Sequence, residues 1–208
     1  MSRRPLTFPK KRLIVHRRIG PNVSLILDGI LIIAMLCTLS ACAAPAEPGR
    51  MVPEPAVVRA DGFAPALHNA IALAKVGGGE KTHPLGVSKV GDEEMTEALR
   101  LSLQRYGVYA SSGIRAPFRL EVFLIELRQP VNGLTMIVTS VVRYRLVRNS
   151  DGRSIYDDVI TASYRAATDE AFTGVQRLKL ANEGSIRANI ASFLASLHSL
   201  DVAKVPLE

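Results

Sequence analysis

The stretch Leu39-Ser40-Ala41-Cys42 has the residue types and spacing that most directly specify chemistry. A thiol preceded by small side chains can be linked through sulfur to a diacylglycerol. Cleavage in front of it then frees an amine that takes a further acyl chain. The stretch closes an apolar run that begins near Ile30, and Arg3, Arg4, Lys10, Lys11, Arg12, Arg17 and Arg18 lie upstream. Basic region, apolar region, small residues and cysteine, in that order, make a lipobox at the end of a signal peptide. One acyl chain holds a protein to a bilayer marginally, whereas two or three anchor it stably. Residues 1–41 are therefore expected to be removed. Cys42 becomes the lipid-bearing N-terminus, carrying covalent diacylglycerol and an N-acyl chain, and no other cofactor is expected.

Two features of the leader fit less well. Its basic region is long for a signal peptide. Asp28 also sits in the apolar stretch Val23–Ile33, where a buried carboxylate is expensive. A working apolar region of Gly29–Leu39 puts Asp28 at its edge and reduces that cost. The alternative is an uncleaved inner-membrane signal anchor over about Val23–Ala41, long enough to cross a bilayer. Ser2-Arg3-Arg4 loosely matches a twin-arginine signal, but the apolar run starts too far downstream.

The net charge of +7 belongs mainly to that leader. Without residues 1–41 the chain keeps 19 basic and 18 acidic residues. This balance shows no nucleic-acid footprint, and no nucleic-acid partner is expected. The 167 residues from Cys42 onward contain no second cysteine. A disulfide framework and a thiolate metal site are therefore excluded there.

Other chemistry is hard to assemble. His68, His83 and His198 lie far apart in sequence, with no His-Glu-x-x-His spacing. A Gly-x-Ser-x-Gly elbow is absent. Gly77-Gly78-Gly79 lacks the Gly-Lys-Ser/Thr ending of a phosphate loop and reads as a turn. Asp157-Asp158 falls on a predicted strand, so its two side chains point to opposite faces. Asp169-Glu170 precedes the last helix and is expected to serve its N-terminus. Arg143, Arg145, Arg148 and Arg153 crowd a hairpin and read as a solvated end, or as a contact for phosphate or anionic lipid. No catalytic or metal-binding residue is assigned, and the chain is expected not to be an enzyme.

The elements that would position these groups follow from periodicity. Residues 42–66 are rich in Ala, Pro, Gly and Glu and read as a flexible tether. Residues 67–208 form one α+β domain. A short strand in His68–Val76 leads to a helix of about fifteen residues. Gly91 or Asp92 caps that helix, and Gly107 ends it. Its buried face is Met95, Leu99, Ser102, Leu103 and Tyr106. Strands Phe118–Arg128, Met136–Arg148 and Ser154–Arg165 alternate with period two, and Asn149-Ser150-Asp151-Gly152 makes a hairpin. A long helix over Thr173–Leu200 carries Val175, Leu178, Ile186, Ile190, Phe193, Leu194 and Leu197 on its apolar stripe. Gly184 marks a kink or a close packing contact in that helix. The order β-α-β-β-β-α predicts an antiparallel sheet of about four strands with two helices on one face.

The lipobox, the strand ending in Gly77-Gly78-Gly79, the helix over Met95–Leu103, the hairpin Val142–Gly152 and the Ala/Leu-rich last helix resemble a group of small bacterial envelope lipoproteins. That group includes the auxiliary outer-membrane lipoproteins of ABC-type lipid transporters and the lipopolysaccharide-assembly lipoprotein. The resemblance covers about Ile71–Leu200 and lies mainly in element order. It implies a domain that works by binding, held at the outer membrane beside a larger envelope complex. Only the lipid-bearing position, Cys42, carries over. Ala43 follows the cysteine where an aspartate would favour inner-membrane retention, so the expected location is the periplasm-facing side of the outer membrane. The expected role is non-enzymatic support of envelope assembly or lipid transport through protein contacts. The alternative is direct binding of a lipid or glycolipid.

Overall fold

The computed structural model describes residues 43–55, 62–110, 115–131 and 133–200. The chain divides into two units, Met1–Ala41 and Cys42–Glu208, and the described residues all belong to the second. The leader and the Leu39–Cys42 motif lie outside them. No described helix is long and apolar enough to cross a membrane.

The strands are β1 (Ile71–Gly77), β2 (Phe118–Arg128), β3 (Met136–Arg148) and β4 (Ser154–Ala166). The helices are α1 (Asp92–Arg105), between β1 and β2, and α2 (Gly174–His198), after β4. Two short 3-10 turns, Pro48–Met51 and Pro65–Leu67, precede β1. The sheet runs β1-β2-β3-β4, and the fold is α+β. β2, β3 and β4 pair antiparallel, as expected, but β1 pairs parallel to β2. The expected antiparallel sheet is thus a mixed one. The cause is α1, which carries the chain back along the sheet so that β2 starts at the end where β1 started.

Alternation predicts the inner face well. Phe118, Leu120, Val122 and Leu124 of β2 are buried, as are Met136, Val138, Ser140, Val142, Tyr144 and Leu146 of β3. A bulge between Leu124 and Glu126 then breaks the phase of β2. Ile125 is left exposed, while Leu127, which strict alternation along Phe118–Arg128 puts on the outer face, packs against the core. Met95, Leu99 and Leu103 of α1 join Ile186, Ile190, Phe193 and Leu194 of α2 in one buried cluster with the inner strand residues. Both helices therefore cover the same sheet face, in two layers.

The α2–sheet contact is pinned by polar groups on the helix. Tyr144 stacks on Phe193 with ring centroids 4.2 Å apart, and its hydroxyl donates to Asn189 Oδ1 at 3.0 Å. Asn189 Nδ2 donates to the Ile160 carbonyl at 2.9 Å and to Ser140 at 3.2 Å. Ser140 Oγ donates to the Ser185 carbonyl at 3.1 Å. Every donor and acceptor on the Asn189 amide is thereby used, as burial requires. Gly184 is a close packing contact: a side chain there would land on the Tyr164 ring. Thr173 caps α2, its Oγ1 accepting from Gln176 N at 3.3 Å. Asp169-Glu170 does not serve that helix through Glu170. The Glu170 carboxylate instead accepts from Tyr164 Oη at 2.8 Å and Ala167 N at 2.9 Å.

Residues 43–55 depart most from expectation. They are a strap packed on both helices, not a loose tether. Ala46, Met51 and Val52 are buried, Met51 completely. The strap has few hydrogen bonds of its own, so its backbone is satisfied by the body. Arg105 donates to the Pro53 carbonyl at 3.1 Å, Tyr106 Oη to Glu54 at 2.9 Å and Arg187 to Arg50 at 2.8 Å. Three apolar side chains placed to meet the helix cleft outweigh a composition that is otherwise tether-like. Removal of water from about one Met side chain is worth roughly 1.5–3 kcal/mol.

The strap is also held by a buried carboxylate. Glu183 Oε1 accepts from Glu47 N at 2.8 Å and lies 3.8 Å from Lys179 Nζ, while its Oε2 has no hydrogen-bond partner. Burial pushes the Glu183 carboxyl above its usual value. A group raised on folding favours the folded state at low pH and loses that contribution as pH climbs through its raised value. Glu183→Gln keeps an acceptor for Glu47 N and removes the buried charge. The variant is expected to be more stable than wild type at pH 8, on the order of 1 kcal/mol or about 2–4 °C in Tm. The gap should close on acidification toward pH 4. Thermal unfolding of the two proteins across that range checks it; a gap that stays constant with pH would sink the assignment.

Candidate interaction surfaces

The sheet face away from the helices has no covering element among the described residues. Its outward positions come from the four-strand register. One row reads Lys75, Glu121, Arg145 and Asp157; the next reads Gly77, Phe123, Arg143 and Val159. Unlike charges thus meet across strands by alternation, which no single segment reveals.

The charges form a connected ladder. Arg143 grips Asp157 with two hydrogen bonds, Nε to Oδ1 at 2.7 Å and Nη2 to Oδ2 at 2.8 Å. Arg145 lies 3.8 Å from Asp157 and 3.7 Å from Glu121. Arg119 Nε reaches Glu121 at 3.3 Å, and its Nη1 donates to Asn149 Oδ1 at 2.9 Å. The Arg143 hydrogen bonds hold the Asp157 carboxyl below the usual carboxylate range, and the charges of Arg143 and Arg145 add to the effect. Four cations, counting Lys75, share two carboxylates, so the face carries excess positive charge. Phe123 (51% exposed) and Val159 (47%) stand in the middle of it. A shallow depression of about 200 Å³ is bounded by Lys75, Glu121, Phe123, Arg143 and Arg145. Apolar side chains rimmed by fixed charges can bind a surface of complementary shape and charge.

The crowded arginines of the hairpin separate in the structure. Arg143 and Arg145 belong to the ladder. Arg148 is buried and pairs with Asp151 at 3.0 Å, and Asp151 also accepts from Arg153 N.

A second surface lies at one end of the sheet. The connections β1–α1, β2–β3 and β4–α2 all fall at that end, because β1 and β2 finish there, β3 starts there and β4 returns to it. Ala43 N donates to the Pro84 carbonyl at 3.1 Å within the first of these connections. The residue that follows Cys42 is thus fixed at this end, although Cys42 itself lies outside the described residues. Leu85 (89% exposed), Val131 (100%), Leu134 (76%) and Phe172 (95%) stand out from the three connections. Sequence reasoning passed over them, since isolated apolar residues in His83-Pro84-Leu85-Gly86 or Pro130-Val131-Asn132-Gly133-Leu134 look like ordinary turn neighbours. Their signal is that each is a large apolar residue in a turn with nothing local to bury it.

Gly77-Gly78-Gly79 does work as a turn. Gly78 has φ +86°, a Cβ on it would strike the Leu124 carbonyl, and Gly79 N donates to Asp92 Oδ1 at 2.7 Å. His83 Nδ1 accepts from Leu85 N at 3.2 Å, His68 contacts the Phe63 carbonyl at 3.3 Å, and His198 packs edge-on against Phe63. The three histidines stay apart. Among the described residues no group of His, Cys, Asp and Glu side chains is placed to hold a metal ion.

No family model matches the chain. No curated protein matches it either. Solved structures do. A candidate lipoprotein from Caulobacter crescentus is 14% identical and matches 68% of this chain and 96% of its own, with a TM-score of 0.47. A minor lipoprotein from Acinetobacter baumannii is 17% identical over 64% and 94%, with a TM-score of 0.41. A PelC dodecamer from Paraburkholderia phytofirmans gives 16% identity over 66% and 94%, and 0.41.

Proposed function

We propose that this chain is a lipid-anchored lipoprotein of the bacterial cell envelope. It supports envelope assembly or lipid transport through protein contacts at the periplasm-facing side of the outer membrane. The observation that carries the anchor is Leu39-Ser40-Ala41-Cys42 behind a basic and apolar leader, followed by a chain that binds the body from Ala43 onward. A domain so closely tied to its lipidated residue stays at the membrane surface and meets partners there.

The contact role draws support from the uncovered sheet face, with Phe123 and Val159 among ordered charges. The space between helices and sheet is filled by the buried cluster, which favours a protein partner over a lipid held inside the fold. The excess of cations calls for a partner surface carrying carboxylates.

Metabolic labelling with a palmitate analogue tests the anchor; a wild-type chain that stays unlabelled overturns it. Pull-down from membranes in mild detergent tests the contacts. Phe123→Asp is expected to lose, by roughly tenfold or more, a protein that wild type retains, since truncating a central anchor typically costs more than about 1.4 kcal/mol. The exposed position leaves the fold intact. Equal recovery by both proteins would remove the sheet face from the account.

A further inference from the structure

We infer that the end of the domain bearing Leu85, Val131, Leu134 and Phe172 sits in the surface of the same bilayer that holds the Cys42 acyl chains. The inference rests on the lipoprotein reading and goes beyond it, because an anchor alone says nothing of how the body is oriented.

Three observations converge. The first is where the chain leaves the body. Ala43 N donates to the Pro84 carbonyl, so the chain directly after the residue that would bear the lipid is held beside Leu85. The acyl chains and this end of the domain must then lie within a few residues' reach of each other, about 3.5 Å per extended residue. The second is exposure. Four large apolar side chains, each at least 76% exposed, stand on three separate connections that topology gathers at this end. The opposite end carries the polar hairpin Asn149-Ser150-Asp151-Gly152. The third is order. Leu85 N is held by His83 Nδ1, and the Phe172 carbonyl accepts from Arg177 at 2.9 Å. Leu85 and Phe172 therefore sit on held backbone, so little further ordering is needed when they leave water.

Charge fits a bilayer seat that needs no anionic lipid. Three cations on these connections and their flanks are paired within the protein: Lys89 with Glu80 at 3.1 Å, Arg128 with Glu126 at 2.7 Å and Lys81 with Glu93 at 3.8 Å. Apolar insertion, helped by a ring at the interface from Phe172, is the contact that remains. Held this way, the strands point away from the membrane, the Asn149–Gly152 hairpin is the far end, and the uncovered sheet face turns sideways, open to a neighbour on the same membrane.

The composition of the chain makes the test clean. On the lipoprotein reading Cys37 leaves with the leader and the Cys42 sulfur is held in a thioether to diacylglycerol, so an introduced cysteine is the one free thiol. The full-length precursor is matured in cells, and the product, carrying Leu85→Cys, Leu134→Cys or Ser150→Cys, is labelled with an environment-sensitive dye. It is then reconstituted in phosphatidylcholine vesicles. Quenching is read with iodide in the water and with a nitroxide on the upper acyl chain. At Leu85 and Leu134 the dye should be quenched several-fold more by the nitroxide, and several-fold less by iodide, than at Ser150. If all three positions respond alike, the bilayer contact is overturned while the anchor stands. Protection from both quenchers at Leu85 and Leu134 would assign these loops to a second copy and equally overturn it. Dye uptake by the parent protein would show a free Cys42 thiol, and both readings would fall together.

Discussion

Cys42→Ala is expected to abolish labelling by a palmitate analogue completely and to leave the chain at precursor size. The thioether that holds the diacylglycerol needs the sulfur, and cleavage depends on that modification coming first. Membrane association alone would not report the loss. An uncleaved leader with an apolar run over about Val23–Ala41 is long enough to span a bilayer and would keep the variant in the membrane fraction. The informative pair of measurements is therefore label and size. Wild type should be labelled and lack residues 1–41; the variant should be unlabelled and about 41 residues longer. A wild type that is unlabelled and full-sized would instead establish the signal-anchor alternative that Asp28 already argues against, since a carboxylate within a permanent span is costly.

Met51→Ala is expected to destabilise the domain by about 2–5 kcal/mol, the range for removing a fully buried Met side chain. Met51 has no exposed surface and lies where the strap crosses between α1 and α2. Against a typical domain stability of about 5–15 kcal/mol, such a loss lowers the urea midpoint by a large fraction. A flexible tether at this position would give a surface-like change within about 0.5 kcal/mol. Urea unfolding of the two proteins separates these outcomes directly. A near-zero effect would restore the tether and, with it, the freedom of the body to swing away from its anchor.

The β2 and β3 strands and α1 are legible in the sequence because each carries a strong local period. Phe118–Arg128 and Met136–Arg148 have the expected bounds, α1 runs from Asp92 to Arg105, and Thr173 caps the last helix. What is illegible depends on partners far along the chain. β1 offers no local sign that it will pair parallel. The phase slip that turns Leu127 inward is a property of the β2–β3 ladder, not of β2 alone. Residues 43–55 read as a tether because composition averages over them, whereas Ala46, Met51 and Val52 act at particular points on helices that begin only at Asp92 and Gly174. The charge ladder is similar: Lys75, Glu121, Arg145 and Asp157 become neighbours only once four strands are in register. The proposed lipid-bearing position, Cys42, is the opposite case, a site read entirely from contiguous sequence.

The strap also ties an early segment of the chain to a late one. Glu47 pairs with Lys179, 132 positions later, and the Arg50 carbonyl is held by Arg187, 137 positions later. Contacts of such separation close late, because the loop entropy must be met first. For a chain that crosses a membrane N-terminus first, Ala46, Met51 and Val52 have no seat until α2 has followed. On the lipoprotein reading, that interval leaves the segment after Cys42 undocked and within reach of modifying enzymes. Docking of α2 then closes the interval and locks the anchor point onto the body. On the lipoprotein reading, the order in which the ribosome makes these two segments thus acts as a clock, keeping the proposed acylation site open until α2 has arrived.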